Sequence, residues 1–127
     1  MTARRSDPAR AREAARAALD EIGAHRARAR KLTVRCSRGH HVAAVYATSA
    51  GLVYASCTRA RAHGSRDFAD VPRAAGSRRD EQVDLLQRDD PLVDDALPAS
   101  CECGPRVLSR SDLLRAVAEH RRRFEVT

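Results

Sequence analysis

Polar and apolar positions in the first thirty residues follow a helical period. Residues 8–30 are almost all good helix formers, and their apolar positions recur every three or four residues, which predicts one long helix. Asp7 followed by Pro8 is typical of a helix start, with an N-cap residue before a proline at the first helical position. The predicted buried face of this helix is a stripe of mainly small residues, Ala11, Ala15, Ala18, Leu19 and Ile22.

Beyond residue 31 the apolar period changes to that of strands. The predicted strands cover residues 32–35, 42–47 and 52–57. Because only residues 48–51 separate the second strand from the third, and one of them is glycine, these two strands are predicted to form a hairpin. We expect Tyr46 and Tyr54 to lie on the same face of the hairpin and to supply most of its packing mass.

The second half of the chain starts with a segment that lacks an apolar period. Residues 58–81 combine many arginines with glycine, serine and proline, which predicts a long, mobile basic loop. Order should resume near Gln82, where nearby prolines limit any helix to a turn or two. A short strand at residues 106–108 is followed by Ser109 with an acid three residues later, a capping box that predicts a helix over residues 110–123.

Together these elements predict an α+β fold, with a small antiparallel sheet, a long N-terminal helix and a C-terminal helix. Residues 1–31 are expected to form a helical arm rich in Ala and Arg, and residues 32–127 a compact domain. The chain has 127 residues, enough for one domain. Its four aromatic residues and many alanines predict a thin core, and small cores commonly need a staple such as a structural metal.

Two short motifs supply suitable donors for a metal. Cys36 and His40 lie four residues apart, while Cys101 and Cys103 lie two apart and are followed by glycine. Thiolates and imidazoles are the ligands that tetrahedral Zn²⁺ takes in proteins, and glycine permits the tight turn that brings two ligands together. The sequence therefore predicts a structural Cys3His zinc site.

Other uses of the same residues stay open at this point. His41 or Cys57 could take the place of His40 among the ligands, since both neighbour predicted strand ends. Alternatively, Cys101 and Cys103 form a dithiol redox pair or are simply buried thiols.

The two motifs resemble those of zinc-ribbon and zinc-knuckle proteins, specifically ribbons with one Cys-x3-His half and one Cys-x-Cys-Gly half. The resemblance covers about residues 34–107, with the hairpin and the basic loop inserted between the halves. It implies a zinc-ribbon-like sheet with Zn²⁺ bound by Cys36, His40, Cys101 and Cys103. The chain departs from the pattern in its second half, where ribbons usually have Cys-x-x-Cys.

The charge is positive overall but unevenly distributed. The net charge is +7, and residues 80–104 alone are strongly acidic. A basic arm, a basic loop and a basic tail surround this acidic segment, an arrangement that indicates contacts with the phosphates of DNA or RNA. The predicted nucleic-acid-binding residues are Arg26, Arg28, Arg30, Lys31, Arg59, Arg61, Arg66, Arg78, Arg79, Arg121, Arg122 and Arg123.

Several classes of protein are disfavoured by what the sequence lacks. It has no run of eighteen apolar residues and no signal-peptide pattern, so a cytoplasmic protein without a membrane contact is expected. In that reducing compartment, cysteines are more often metal ligands or free thiols than members of disulfides. No Ser/His/Asp constellation, phosphate-binding glycine loop or HExxH motif is present, so we expect neither an enzyme nor a small-molecule substrate.

These observations favour a small zinc-binding protein that accompanies nucleic acid, as an accessory factor of transcription or translation. The first alternative is a protein-binding adaptor that uses the N-terminal helix and the acidic segment. The second is a redox protein based on the Cys-x-Cys pair, which would carry no zinc.

Overall fold

The computed structural model describes residues 8–57, 81–88, 95–101 and 103–126, and it has a mixed α+β architecture. The elements are α1 (Pro8–Ile22), a 3₁₀ turn (Gly23–His25), α2 (Arg26–Ala29), β1 (Arg30–Cys36), β2 (His41–Thr48), β3 (Gly51–Cys57), β4 (Glu81–Leu85), β5 (Ala96–Cys101), β6 (Gly104–Ser109), α3 (Arg110–Ala118) and β7 (Arg123–Val126). The loop predicted for residues 58–81 lies outside the described residues, except for its last residue.

The described strands form two sheets. The larger sheet has the order β4-β3-β2-β1-β7, in which β1 to β4 are antiparallel neighbours and β7 runs parallel to β1. Strands β5 and β6 form a separate antiparallel pair. The predicted α+β class is confirmed, but the sheet is larger than expected and one of its edge strands is parallel.

Helix α1 packs on one face of the larger sheet, and the predicted apolar stripe is the side that it buries. Ala15, Ala18 and Leu19 are buried against residues of β2 and β3 that include Tyr46 and Val53. The small side chains of the helix let its backbone approach the sheet closely. No helix in the described part of the chain is both long and apolar enough to cross a membrane.

The hairpin of β2 and β3 forms as predicted, but its two tyrosines lie on opposite faces. The turn leaves Ser49 and Ala50 between the paired residues Thr48 and Gly51, and this register places Tyr54 opposite Val45. Because neighbouring residues of a strand point to opposite faces, Tyr46 and Tyr54 are separated by the sheet. Each tyrosine anchors a different apolar cluster, so the expectation of a shared face was wrong.

The second face of the larger sheet is covered by the β5-β6 pair and α3. Leu32, Val34, Leu97 and Leu108 are buried in one cluster that joins these elements. The hydroxyl of Tyr54 also donates a hydrogen bond of 2.8 Å to the carbonyl of Pro98. This contact is partly buried and directional, and it helps to fix the position of β5 above β3.

Two expectations about the second half are corrected. Order resumes at residue 81, close to the predicted position, but residues 81–85 form an edge strand that was not predicted. Helix α3 starts at the predicted cap, with the Ser109 hydroxyl accepting from the Asp112 N–H, but it ends at Ala118 and not near residue 123.

The early end of α3 has a clear cause. His120 has a φ of 61°, its N–H donates to Val117, and the next N–H donates to Ala116. This pair of bonds is a Schellman motif, which closes a helix with a left-handed residue. The chain then enters β7, whose Phe124 and Val126 pack against the core.

Candidate metal centre

The first half of the site is the tight turn between β1 and β2. Cys36 is the last residue of β1, and His40 directly precedes β2. The N–H of Cys36 donates to the carbonyl of His40 at 3.0 Å, and the N–H of Gly39 donates to the carbonyl of Cys36 at 2.9 Å. Gly39 has a φ of 86°, a conformation that glycine adopts without strain. The turn therefore directs both ligand side chains to the same side.

The second half of the site is the turn between β5 and β6. Cys101 ends β5 and is paired with Gly104, which begins β6 with a φ of 120°. Cys101 is buried at the border of the core, whereas Cys103 is exposed. The site therefore lies where the smaller sheet meets the end of β1, with one side open to solvent.

The four predicted donors converge on one point. The ligand atoms of Cys36, His40, Cys101 and Cys103 all lie within 4.8 Å of one another. Nδ1 of His40 lies 3.5 Å from the sulfur of Cys36 and 3.4 Å from that of Cys103. Metal bonds of about 2.3 Å to sulfur and about 2.0 Å to nitrogen place S and N about 3.5 Å apart around a tetrahedral ion. These residues could therefore bind a metal ion.

The backbone around the sulfurs favours their ionised form. The N–H of Arg38 points at the Cys36 sulfur at 3.4 Å, and the N–H of Cys103 points at the Cys101 sulfur at 3.4 Å. Burial opposes ionisation of Cys36, but hydrogen bonds from the backbone N–H groups of Arg38 and His40, together with those from the Cys101 and Cys103 side chains, outweigh it and lower the pKa of this thiol to about 7. Metal ligation requires thiolates, so this environment suits a bound cation.

The second thiol behaves differently. Burial and the adjacent Cys36 sulfur raise the pKa of the Cys101 thiol above its ordinary value. Neighbouring thiolates repel each other, so a cation between them is what allows both to ionise. The donor set, three thiolates and one imidazole, is typical of zinc and other borderline metals.

One of the two alternative ligands, His41, falls outside this group. His41 is the first residue of β2 and is buried, but it does not belong to the converging set. Cys57 ends β3, and its side chain lies outside the described part of the structure. Within the described residues, His40 is therefore the histidine of the candidate centre.

The predicted nucleic-acid-binding residues have different environments. Arg59, Arg61, Arg66, Arg78 and Arg79 lie outside the described residues. Arg28 is exposed on α2, and the guanidinium of Arg121 lies 3.8 Å from Glu119. Four others, Arg30, Lys31, Arg122 and Arg123, line one cavity between α2, β1 and β7.

Arg26 has a structural environment instead. It donates a hydrogen bond to the side chain of Glu81, and its guanidinium lies 5.2 Å from the centre of the Tyr46 ring. Arg16 on α1 donates to the other carboxylate oxygen of Glu81 at 3.0 Å. Arg26 is thus held inside the fold by a carboxylate and a ring, and its charge is largely neutralised there.

Arg35 is not among the predicted nucleic-acid-binding residues, but it lines the cavity between α2, β1 and β7 together with Lys31 and Thr33. The signal was available, because residues 31, 33 and 35 alternate with the apolar positions of β1 and so share a face.

Comparison with known proteins finds no matching family model, no matching curated protein and no matching solved structure. The interpretation of the site therefore rests on its own residues.

Proposed function

We propose that Cys36, His40, Cys101 and Cys103 bind one structural Zn²⁺ ion. The single observation that supports this proposal is the convergence of all four donors, with sulfur to nitrogen distances that suit a tetrahedral ion. Four protein ligands complete a tetrahedral coordination shell and leave no position for water or substrate. The metal therefore holds the fold, and the protein is not an enzyme at this site.

The position of the site would let the metal connect the two sheets. Cys36 lies on the larger sheet and Cys101 on the smaller one, and both border the same apolar cluster. Few side chains larger than leucine fill that cluster, so burial of apolar area alone stabilises it modestly. Zinc would join the two sheets at the edge of the core and act as the staple that a small core needs.

The metal proposal is tested by metal analysis together with a thiol count on native protein. We expect one zinc per chain and no more than one reactive thiol, that of Cys57. A preparation without zinc, in which three or four thiols react with a thiol reagent, would contradict the zinc site. That result would favour the redox alternative if Cys101 and Cys103 also formed a reversible disulfide.

We further propose that the protein accompanies nucleic acid as a non-enzymatic accessory factor. The net charge of +7 supports this, and so does the tertiary structure, because the end of the basic arm and the basic tail line one cavity at the edge of the sheet. Binding of a labelled 20-mer DNA or RNA, measured by fluorescence anisotropy from low to moderate salt, tests it. No binding at low salt, or no steep salt dependence, would refute the nucleic-acid role.

The adaptor alternative receives less support from the described residues. It relies on the N-terminal helix and the acidic segment, but the apolar side of α1 is buried on the sheet. In the described part of the acidic segment, Glu81 pairs with Arg16 and Arg26, and Asp84 pairs with Arg88 and Arg110. These groups are engaged inside the fold.

A further inference from the structure

A basic cleft lies at the edge of the larger sheet. We use this name for the cavity of about 280 Å³ that is lined by Ala27, Arg30, Lys31, Leu32, Thr33, Arg35, Arg122 and Arg123. Five of its eight lining residues are cationic and none is acidic. Positive charges that cluster in a cleft with low-dielectric walls raise the local electrostatic potential, and this potential attracts polyanions.

The strand register explains why these charges meet. Strand β7 runs parallel to β1, with Thr33 opposite Arg123 and Val34 opposite Phe124. Since Val34 and Phe124 belong to the apolar cluster on one face, Thr33 and Arg123 point to the other face. The bond of 2.9 Å from the N–H of Thr33 to the carbonyl of Arg122 fixes the start of β7 at this point.

That face of the sheet is only partly covered. Helix α1 packs over β2, β3 and β4, on the same face as Thr33, because Thr33 pairs with Ala44 of the α1 cluster. The charged side chains of β1 and β7 are thus beside the helix and not beneath it. Lys31, Arg122 and Arg123 are exposed, and Arg30, Thr33 and Arg35 are half-buried.

The two ends of the cleft differ in charge. At one end Arg35 donates a hydrogen bond of 3.0 Å to the carbonyl of Gly39 in the metal-site turn. One acid, Glu125, lies opposite Arg35 in the register, although it does not line the cleft. The Arg35 end is therefore the more neutral one, and the charge is greatest where Lys31, Arg122 and Arg123 meet.

We infer that the basic cleft is where the protein binds the phosphate backbone of nucleic acid, without reading the bases. This inference rests on the proposed nucleic-acid role and assigns that role to five cations. From Lys31 to Arg35 the strand extends about 13 Å at about 3.3 Å per residue, and one strand of B-DNA presents a phosphate about every 3.4 Å along its axis. The cationic side chains along this stretch of β1 therefore span several phosphates, which favours a nucleic-acid polymer over a single phosphate or nucleotide as the ligand.

The lining favours contacts with phosphates over recognition of bases. No aromatic residue and no Asn or Gln lines the cleft, so it offers neither a stacking platform nor the bidentate amide contacts that identify adenine. Contacts from Arg and Lys to phosphates position a protein on nucleic acid but carry no sequence information. Affinity should therefore depend on salt and be nearly independent of sequence.

The test compares two variants that lose the same charge. In the cleft variant Lys31→Gln and Arg123→Gln are combined, and in the control variant Arg10→Gln and Arg115→Gln are combined. The control residues are exposed on α1 and α3 and do not line the cleft. Both proteins are first checked for wild-type zinc content and thermal stability, and then titrated with labelled 20-mers of two unrelated sequences.

We expect the cleft variant to bind on the order of tenfold more weakly per removed cation at 0.1 M salt, with a log–log salt slope reduced by about 2. The control variant should lose less than threefold. Wild type should bind both sequences with affinities within a factor of three. Inorganic phosphate at millimolar concentration should compete poorly, because the cleft engages several phosphates at once.

Four outcomes would overturn the inference. If wild type binds but the two variants weaken equally, binding lies elsewhere and only the cleft assignment fails. Strong sequence preference in wild type would refute backbone binding, while the nucleic-acid role would stand. If polyglutamate of matched charge binds as tightly as DNA, the cleft fits an acidic protein partner instead. If wild type binds no nucleic acid at low salt, the proposed function fails together with the inference.

Discussion

Replacement of Cys101 by serine should remove a large part of the stability of this protein. Cys101 is buried at the border of the core, so serine keeps its approximate size but exchanges a zinc ligand for a hydroxyl. The proposed metal closes the chain between Cys36 and Cys101, which are 65 positions apart. A cross-link across a loop of that length stabilises the folded state by roughly 4 kcal/mol in the chain-entropy model.

That energy is large beside the whole stability of an ordinary domain, about 5–15 kcal/mol. The assay is urea unfolding followed by far-ultraviolet circular dichroism under reducing conditions, with zinc measured on the same samples. If the free energy of unfolding falls by about 2 kcal/mol per M of urea, loss of the zinc cross-link lowers the urea midpoint of unfolding by about 2 M. Wild type stripped of metal by a chelator should show a similar shift, reversed by added Zn²⁺.

The matched control is Cys57→Ser, since Cys57 is the remaining thiol of the sequence and is not one of the proposed ligands. This variant should retain one zinc and lose less than about 1 kcal/mol. The reasoning is refuted if metal-free and metal-loaded wild type unfold within 0.3 M of each other, or if Cys57→Ser loses zinc as completely as Cys101→Ser.

Three further predictions concern the scaffold. Glu81→Gln should destabilise the protein by about 1.5–3 kcal/mol, because the half-buried Arg16 and Arg26 would lose the buried carboxylate that pairs with both. The exposed Glu13→Gln should change the unfolding free energy by less than about 0.5 kcal/mol in the same urea titration. Burial opposes ionisation of Glu81, but the two arginines outweigh it and hold its pKa below the usual value. The carboxylate's contribution should therefore be fully present above about pH 4.3 and be lost as the pH falls through the lower folded-state pKa. The stability difference between wild type and Glu81→Gln, followed from pH 7 to pH 2, should narrow at the acid end, and a constant gap would contradict this. Finally, Ser109→Ala should cost about 1 kcal/mol because the hydroxyl caps α3. Ser109→Thr should largely restore the urea midpoint, because it keeps a hydroxyl that accepts from Asp112 and donates to Asp95.

Local patterns were sufficient to predict several elements. The period of small apolar residues identified the buried side of α1, and the glycine-containing segment 48–51 identified the hairpin of β2 and β3. The cap at Ser109 located the start of α3. In each case the signal and the structure it specifies lie within a few residues of one another, so tertiary contacts were not needed to interpret it.

The four candidate metal ligands could also be predicted from the sequence alone, for a chemical reason. Few residue types bind zinc, and a ligand pair beside a glycine forms half a site in any fold that turns there. The sequence therefore named the four donors, but it could not show that the β1–β2 turn and the β5–β6 turn meet. That meeting is decided by the core cluster, in which Cys36 and Cys101 are both buried.

Other features depended wholly on tertiary structure. The faces of Tyr46 and Tyr54 follow from the cross-strand register, in which Tyr54 lies opposite Val45 and not opposite Tyr46, and residues that are neighbours along a strand point to opposite faces. The role of Arg26 depended on Glu81, which lies 55 positions away.

What the sequence by itself determined is a mixed fold, a set of four candidate metal donors and three basic segments. Only the tertiary structure decided which of those basic residues act together. The parallel pairing of β7 with β1 places Arg123 opposite Thr33, some ninety positions earlier in the chain, and so assembles the basic cleft from two distant segments of the chain. Parallel pairing of distant strands leaves no local signature, because its partners are selected by the shared core that Phe124 and Val126 help to cover.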